Sequence, residues 1–158
     1  MKKLVFGLIA TVMFGLVGNA QNLVKVGEIK DGVFIITEDI NGIKVEWDKI
    51  LQEQKIVGEF SNYVIESDVD VELNNEIYYY LLANSKDNIL KAARLLKLDK
   101  GNFYLDSNPD SFMFGVTVTC SGCAFGCHPK RGRGFWYCTP DCGSDCTKSE
   151  TITGHVSN

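Results

Sequence analysis

Histidine is scarce in this chain, and the short motifs that mark common catalytic sites are absent. The sequence has two histidines, His128 and His155, and so few imidazole groups for proton transfer or metal binding. It has no G-x-S-x-G elbow, H-E-x-x-H pair, phosphate-binding glycine loop or dinucleotide fingerprint. These absences favour a protein that is not an enzyme, and they predict neither catalytic residues nor a cofactor. A hydrolase acting through two carboxylates leaves no such motif, so that alternative stays open.

Long apolar runs are also missing, except at the N-terminus. Two lysines precede an apolar run of 14 residues, Leu4–Val17, which is shorter than the roughly 20 residues of a membrane-spanning helix. The small residues Gly18 and Ala20 follow, at the positions that a signal peptidase reads. We therefore predict a signal peptide over residues 1–20. The mature chain is then exported, either secreted or periplasmic, and has no transmembrane segment.

Acidic residues outnumber basic ones before the C-terminal region. Residues 21–115 hold 10 Lys and Arg against 17 Asp and Glu, a net charge of −7, whereas residues 116–158 hold 4 against 3, a net charge of +1. Proteins that bind nucleic acid present a basic surface that neutralises phosphates. The acidic N-terminal part therefore disfavours nucleic acid as a partner.

Residues 21–119 predict an acidic, mixed α+β body. Asp31-Gly32, a dipeptide typical of tight two-residue turns, lies between two strand-like runs and predicts a β-hairpin over residues 23–37. Composition and spacing predict further elements: strands at 56–65, 67–73, 103–105 and 112–119, and a short helix at 44–55.

The clearest helix signal lies at about residues 85–98. Ser85 is a suitable N-cap residue, and an apolar stripe at helical spacing follows it. Gly101 comes just after the segment, where the end of a helix favours positive φ. We therefore expect one clear helix here in an α+β fold.

Cysteine is absent from the first 119 residues and concentrated in the next 27. The six cysteines are Cys120, Cys123, Cys127, Cys138, Cys142 and Cys146. In an exported chain, an even number at close spacing indicates disulfides, although the sequence does not choose among the pairings. The segment is rich in glycine and poor in apolar residues. We therefore predict a disulfide-rich, loop-dominated module over residues 120–146 and a flexible tail over residues 147–158.

Two metal-based alternatives compete with disulfides. A four-thiolate zinc site is one of them, with His128 as an extra donor. Its ligands would be Cys120, Cys123, Cys138 and Cys142. The other is a haem attachment at Cys123 and Cys127-His128, but three residues rather than two separate these cysteines. An oxidising compartment disfavours thiolate ligands, so we expect no metal and no cofactor.

Cations and aromatic residues are concentrated between Cys127 and Cys138. We predict that this basic and aromatic loop contacts a partner, because arginine and aromatic residues dominate many interfaces. The candidate contact residues are His128, Lys130, Arg131, Arg133, Phe135, Trp136 and Tyr137. The alternative is structural: Phe135 and Trp136 fill a small core, and the cations are only solvated.

Strict alternation over residues 67–73 places three acids on one face of a strand and apolar residues on the other. The acids are Asp68, Asp70 and Glu72. The segment lacks the glycine that a calcium-binding loop needs at its sharp turn. We therefore expect the acidic face to be solvated and the apolar face to be buried.

Three functions are compatible with these patterns. The first is an exported, non-enzymatic protein whose stapled C-terminal module presents the basic and aromatic loop to an extracytoplasmic protein, polysaccharide or anionic surface. The second is the precursor of a secreted cysteine-rich toxin or antimicrobial peptide, with residues 21–115 as its pro-region. The third is an exported protein that uses its thiolates for metal binding or redox chemistry.

Overall fold

The structure, a computed structural model, describes residues 23–106, 113–123, 125–140 and 146–152. The predicted signal peptide, Cys142 and His155 lie outside these residues. The elements in chain order are β1 (Leu23–Lys30), β2 (Val33–Ile36), α1 (Asn41–Glu53), β3 (Phe60–Asp70), β4 (Glu76–Ser85), β5 (Lys91–Asp99), β6 (Asn102–Asp106), β7 (Val116–Ser121), β8 (Cys127–Gly132), β9 (Phe135–Pro140) and β10 (Thr147–Ile152). In the described ranges, β1–β7 and β10 form one antiparallel sheet, and β8 and β9 form a separate hairpin.

Strand β5 is the branch point of the sheet. It pairs with β4 along Lys91–Leu96, with β7 along Lys91–Arg94 and with β6 along Lys97–Asp99. From these three neighbours the sheet continues to β3, to β10, and through β1 to β2.

The sheet curves until it is nearly closed. The pairing of β1 with β6 shifts register between Lys25 and Gly27, which marks a bulge that bends the strand. A Cβ at position 27 would collide with the carbonyl of Ile35 and with the side chain of Ile65. The absence of a side chain therefore lets β1 pass close to both β2 and β3.

Helix α1 covers one face of the sheet. Asp39 accepts a hydrogen bond from the N–H of Asn41 at 2.9 Å and so satisfies a donor of the first turn. Trp47, fully buried on the inward side of the helix, packs near Phe60 and Tyr63 of β3. A short helix in this region is thus confirmed.

The β8–β9 hairpin covers the other face. Tyr78 and Tyr80 of β4 point to this side, and they pack with Trp136 of β9. Because β4 and β5 are covered on both faces, their middle residues are buried almost without interruption.

The α+β prediction was wrong, because the fold is mostly β and its helix lies elsewhere. The segment assigned to a helix at 85–98 holds the β4–β5 turn and most of β5. Ser85 does not cap a helix; its hydroxyl accepts the N–H of Leu90 at 3.0 Å and closes the turn. Gly101 occupies the two-residue turn between β5 and β6, where Lys100 also has positive φ.

The prediction of a loop-dominated C-terminal module was also wrong. Strands β7, β8 and β9 fall wholly or partly within residues 120–146. Two of them form the hairpin, and β7 belongs to the main sheet. Thr147–Ile152, in the segment assigned to the tail, form β10 and pair with β7. Backbone pairing, added to disulfides, therefore orders a region that is poor in apolar residues.

Candidate functional site

A two-residue turn creates the β8–β9 hairpin. Arg133 and Gly134 have φ values of 55° and 81°, and they link the paired residues Gly132 and Phe135. Side chains alternate along each strand, so the hairpin has two faces. The inner face, toward the sheet, consists of Cys127, Pro129, Arg131, Trp136, Cys138 and Pro140; the outer face consists of His128, Lys130, Gly132, Phe135, Tyr137 and Thr139.

Two disulfides join the hairpin to the main sheet. Cys120 of β7 is bonded to Cys138 of β9, and Cys127 of β8 is bonded to Cys146, the residue before β10. Cys123 is disulfide-bonded as well. Disulfide stapling, predicted from the spacing, is therefore present. Cys120 and Cys138, two members of the zinc alternative, are bonded to each other and so are not thiolate ligands here.

Trp136 anchors the inner face. Its ring meets the rings of Tyr78 and Tyr80 edge to face, with centroids 6.0 and 5.9 Å apart. Burial raises the pKa of the Tyr78 hydroxyl to about 12, so this hydroxyl stays neutral over the physiological pH range. The anchor is thus a buried aromatic cluster that packs the hairpin against the sheet.

Arg131, the cross-strand partner of Trp136, is a buried cation. It is 6% exposed, its Nη2 donates to the carbonyl of Gly134 at 2.8 Å, and its guanidinium lies 5.4 Å from the centre of the Tyr78 ring. Within the described residues it forms no ion pair, and its Nε and the indole Nε1 of Trp136 have no hydrogen-bond partner. The inner face therefore carries two buried donors without acceptors.

Lys130 and Arg133 of the hairpin pair with acids of β3 and of the turn after it. Lys130 lies 3.4 Å from Asp68, and Arg133 lies 3.3 Å from Glu72. The imidazole of His128 lies 4.0 Å from Glu66 and forms an ion pair only when it is protonated. Exposed pairs of this kind contribute at most about 1 kcal/mol each. Their main effect is that the basic loop and the acidic face largely neutralise each other.

Asp70 lies between the sheet and the tip of the hairpin. It is 1% exposed, and its carboxylate accepts the backbone N–H groups of Gly134 at 2.9 Å and of Arg133 at 3.2 Å. Burial by itself raises the pKa of this carboxyl, but the N–H donors outweigh it and hold the pKa below the usual value. The expectation that Asp70 is solvated was wrong; Val71, assigned to the buried side, is 73% exposed.

Replacing Asp70 with asparagine should destabilise the protein in a pH-dependent way. At neutral pH we expect the melting temperature to fall by on the order of 10 °C, because an amide oxygen replaces a carboxylate opposite N–H donors. A lowered carboxyl pKa stabilises the fold above the ordinary value of 3.8, and this contribution is lost as the pH falls through the folded-state pKa.

Thermal melts from neutral pH down to acid check this expectation. The gap between wild type and D70N should narrow below about pH 4. The exposed Asp99→Asn variant is the matched control, and its melting temperature should stay close to that of wild type. A gap that is independent of pH would contradict the role assigned to the Asp70 charge.

The structure buries two of the seven predicted contact residues, Arg131 and Trp136. The other five are at least partly exposed, and among them the aromatic residues Phe135 and Tyr137 are 70% and 44% exposed on the outer face. Sequence reasoning did not connect Tyr78 with the hairpin, although Tyr78, 53 residues before Arg131, accepts the backbone N–H of Arg131 at 3.0 Å. Burial alternates along β8 and β9, but the sequence does not show this alternation, because the inward Arg131 is charged and the outward Phe135 and Tyr137 are aromatic.

Over the described ranges, no group of three or more His, Cys, Asp or Glu is arranged to hold a metal ion. The same residues include no helix that is long and apolar enough to cross a membrane. No protein-family model matches the chain, and neither a curated protein nor a solved structure matches it at a significant level.

Proposed function

We propose that this chain is an exported, non-enzymatic binding protein that contacts a protein partner outside the membrane. The contact is made by the outer face of the β8–β9 hairpin. The single observation that carries the proposal is the exposure of Phe135 and Tyr137, 70% and 44%, on a hairpin that two disulfides hold to the sheet. Aromatic side chains fixed in a rigid setting lose little entropy on binding, and they dominate many protein interfaces.

Charge plays a smaller part in this contact than the basic loop suggested. Lys130 and Arg133 already pair with acids of the same chain, so an anionic partner gains little from them. Arg133 has a side chain that is 78% exposed beside Phe135, and it adds stacking and hydrogen-bonding surface. We therefore favour a protein partner over an anionic surface.

Export is supported by two independent features. The N-terminal pattern is that of a signal peptide, and disulfides persist in oxidising compartments.

The pairing of β7 with β5 and of β10 with β7 favours an intact chain over a precursor that releases its C-terminal part. Intact-mass measurement on exported protein tests both: a chain that begins near residue 21 with its disulfides formed agrees with the proposal, whereas a released C-terminal fragment rejects it.

The contact itself is tested by photo-crosslinking in the exporting cell. A photo-reactive phenylalanine analogue at position 135 or 137 should crosslink to one protein, identified by mass spectrometry. The same analogue at Val57, which is 99% exposed and lies outside the hairpin, is the control. Crosslinks only to lipid or polysaccharide, or the same products as at Val57, would reject a protein partner.

Changing Phe135 and Tyr137 together to serine should then weaken binding to that partner by about 100-fold or more, because each exposed ring behaves as an interface hot spot. The melting temperature should stay unchanged, since neither ring belongs to a buried cluster. Calorimetry with the purified partner measures the loss, and Val57→Ser should bind like wild type.

A further inference from the structure

Strand β10 ends the main sheet and has one edge that no described strand covers. Within the described residues it pairs with β7 on one side and with no strand on the other. Four of its six residues are exposed: Thr147, Lys148, Glu150 and Ile152. The backbone N–H and C=O groups of such an edge pair readily with a strand of another molecule.

This edge lacks the features that keep most sheet edges from pairing. Strand β10 contains no proline, and its register with β7 runs over six residue pairs without a bulge. Lysine protects an edge by its charge, but Lys148 is paired with Glu150 of the same strand at 3.1 Å. The edge is therefore regular and carries no net charge.

The order of residues in β10 suits pairing with a second copy of the same strand. In an antiparallel pair with its two-fold axis at Ser149, Lys148 of each strand lies opposite Glu150 of the other. Opposite charges at directly opposed positions stabilise a strand pair, whereas like charges destabilise it. An axis at Lys148 or at Glu150 would oppose two like charges. Charge therefore selects the register centred on Ser149.

Both charges lie on the face of the sheet that carries the hairpin. Lys148 is the cross-strand partner of Cys120, which is bonded to Cys138 of β9, and its Nζ donates to the carbonyl of Trp136 at 3.0 Å. Glu150, two residues further along the strand, points to the same face. In the paired arrangement each lysine lies between two carboxylates, one from its own strand and one from the other copy.

We propose that the chain forms a two-fold symmetric dimer in which two copies of β10 pair and join the two main sheets into one. Each copy contributes one short strand, so the interface is small and we expect a Kd on the order of 10–100 µM. The dimer carries two β8–β9 hairpins and uses neither Phe135 nor Tyr137. The inference therefore does not depend on the protein contact of the outer face.

Sedimentation equilibrium from about 1 µM to about 1 mM protein tests the proposal. Lys148→Glu and Glu150→Lys should each weaken the dimer by about tenfold or more, because each places like charges opposite each other at two symmetric positions. The double variant K148E/E150K restores opposite charges and should dimerise within about threefold of wild type. A wild-type chain that stays monomeric at about 1 mM, or a double variant as weak as the single ones, would overturn the proposal.

Disulfide crosslinking at dimer-forming concentrations measures the register. Ser149→Cys places a cysteine opposite its own copy, within reach of a disulfide, and should give a covalent dimer on a non-reducing gel. Thr151→Cys is the matched control, because this position lies opposite Thr147 of the other copy, and it should stay monomeric on the gel. Equal crosslinking at both positions, or none at position 149, would contradict the register.

A truncated chain that ends at Ile152 tests whether β10 itself forms the contact. Residues 153–158 lie outside the described ranges, and their removal should leave the dimer Kd unchanged. Loss of the dimer on truncation would assign the contact to those residues and overturn the proposal. None of these outcomes bears on photo-crosslinking at positions 135 and 137, so the two proposals fail separately.

Discussion

Removing the disulfides should detach the β8–β9 hairpin from the sheet before the sheet itself unfolds. Cys120–Cys138 and Cys127–Cys146 close loops with sequence separations of 18 and 19 residues. Each crosslink of this length stabilises a protein by about 3 kcal/mol, mainly by restricting the unfolded chain. Urea unfolding of the paired Cys→Ala variants measures the loss, which should approach about 6 kcal/mol when both bonds are removed.

Amide hydrogen exchange shows where the stability is lost. Amides of β8 and β9 should lose protection first, because these two disulfides join the hairpin to β7 and to the residue before β10. Amides of β4 and β5 serve as the internal control and should keep theirs. An unchanged free energy of unfolding, or equal loss of protection in β8–β9 and in β4–β5, would contradict the conclusion that the disulfides hold the hairpin on the sheet.

Arg94→Met should be the most damaging single substitution in the sheet. The side chain of Arg94 is 3% exposed, and it donates to Glu46, to the carbonyl of Phe114 and to the carbonyl of Asp106. Burial lowers the pKa of this guanidinium, while Glu46 opposes the shift. Methionine fills the space but removes the donor to two carbonyls and the cation beside Glu46, so we expect a loss of about 4 kcal/mol.

Chemical denaturation compares this variant with Lys49→Met. Lys49 also faces a carboxylate, Glu53, at 3.6 Å, but both side chains are largely exposed. That control should lose less than about 0.5 kcal/mol. Arg94→Lys, which keeps the charge but reaches fewer acceptors, should fall between the two. Similar losses in the free energy of unfolding for Arg94→Met and Lys49→Met would contradict the argument that burial makes the contacts of Arg94 more important for stability.

The sequence predicted only one of three two-residue turns. The hairpins β1–β2, β5–β6 and β8–β9 all turn through two residues of positive φ, at Asp31-Gly32, Lys100-Gly101 and Arg133-Gly134. Only the first has the composition that marks such turns on its own. In the other two a lysine or an arginine takes the left-handed conformation, because strand pairing on both sides fixes it there.

The helix predicted at about 85–98 shows why periodicity can mislead. An apolar stripe at three- and four-residue spacing appears when nearly every residue of a strand is buried. Ala92 and Ala93 face opposite sides of β5, and each belongs to a separate core cluster. The two layers that cover β5 are a helix and a hairpin from distant parts of the chain, which no local window contains.

By itself, the sequence determined the N-terminal hairpin, a short helix near residue 47 and the cysteine-stapled C-terminal region, because each depends on neighbours along the chain. Only the tertiary structure decided which side chains are free to act. It paired Lys130 and Arg133 of the hairpin with acids about 60 residues earlier, buried Arg131 and Trp136, and left Phe135 and Tyr137 exposed. The physical reason is that burial and ion pairing depend on which surfaces meet, and here those surfaces meet across the sheet.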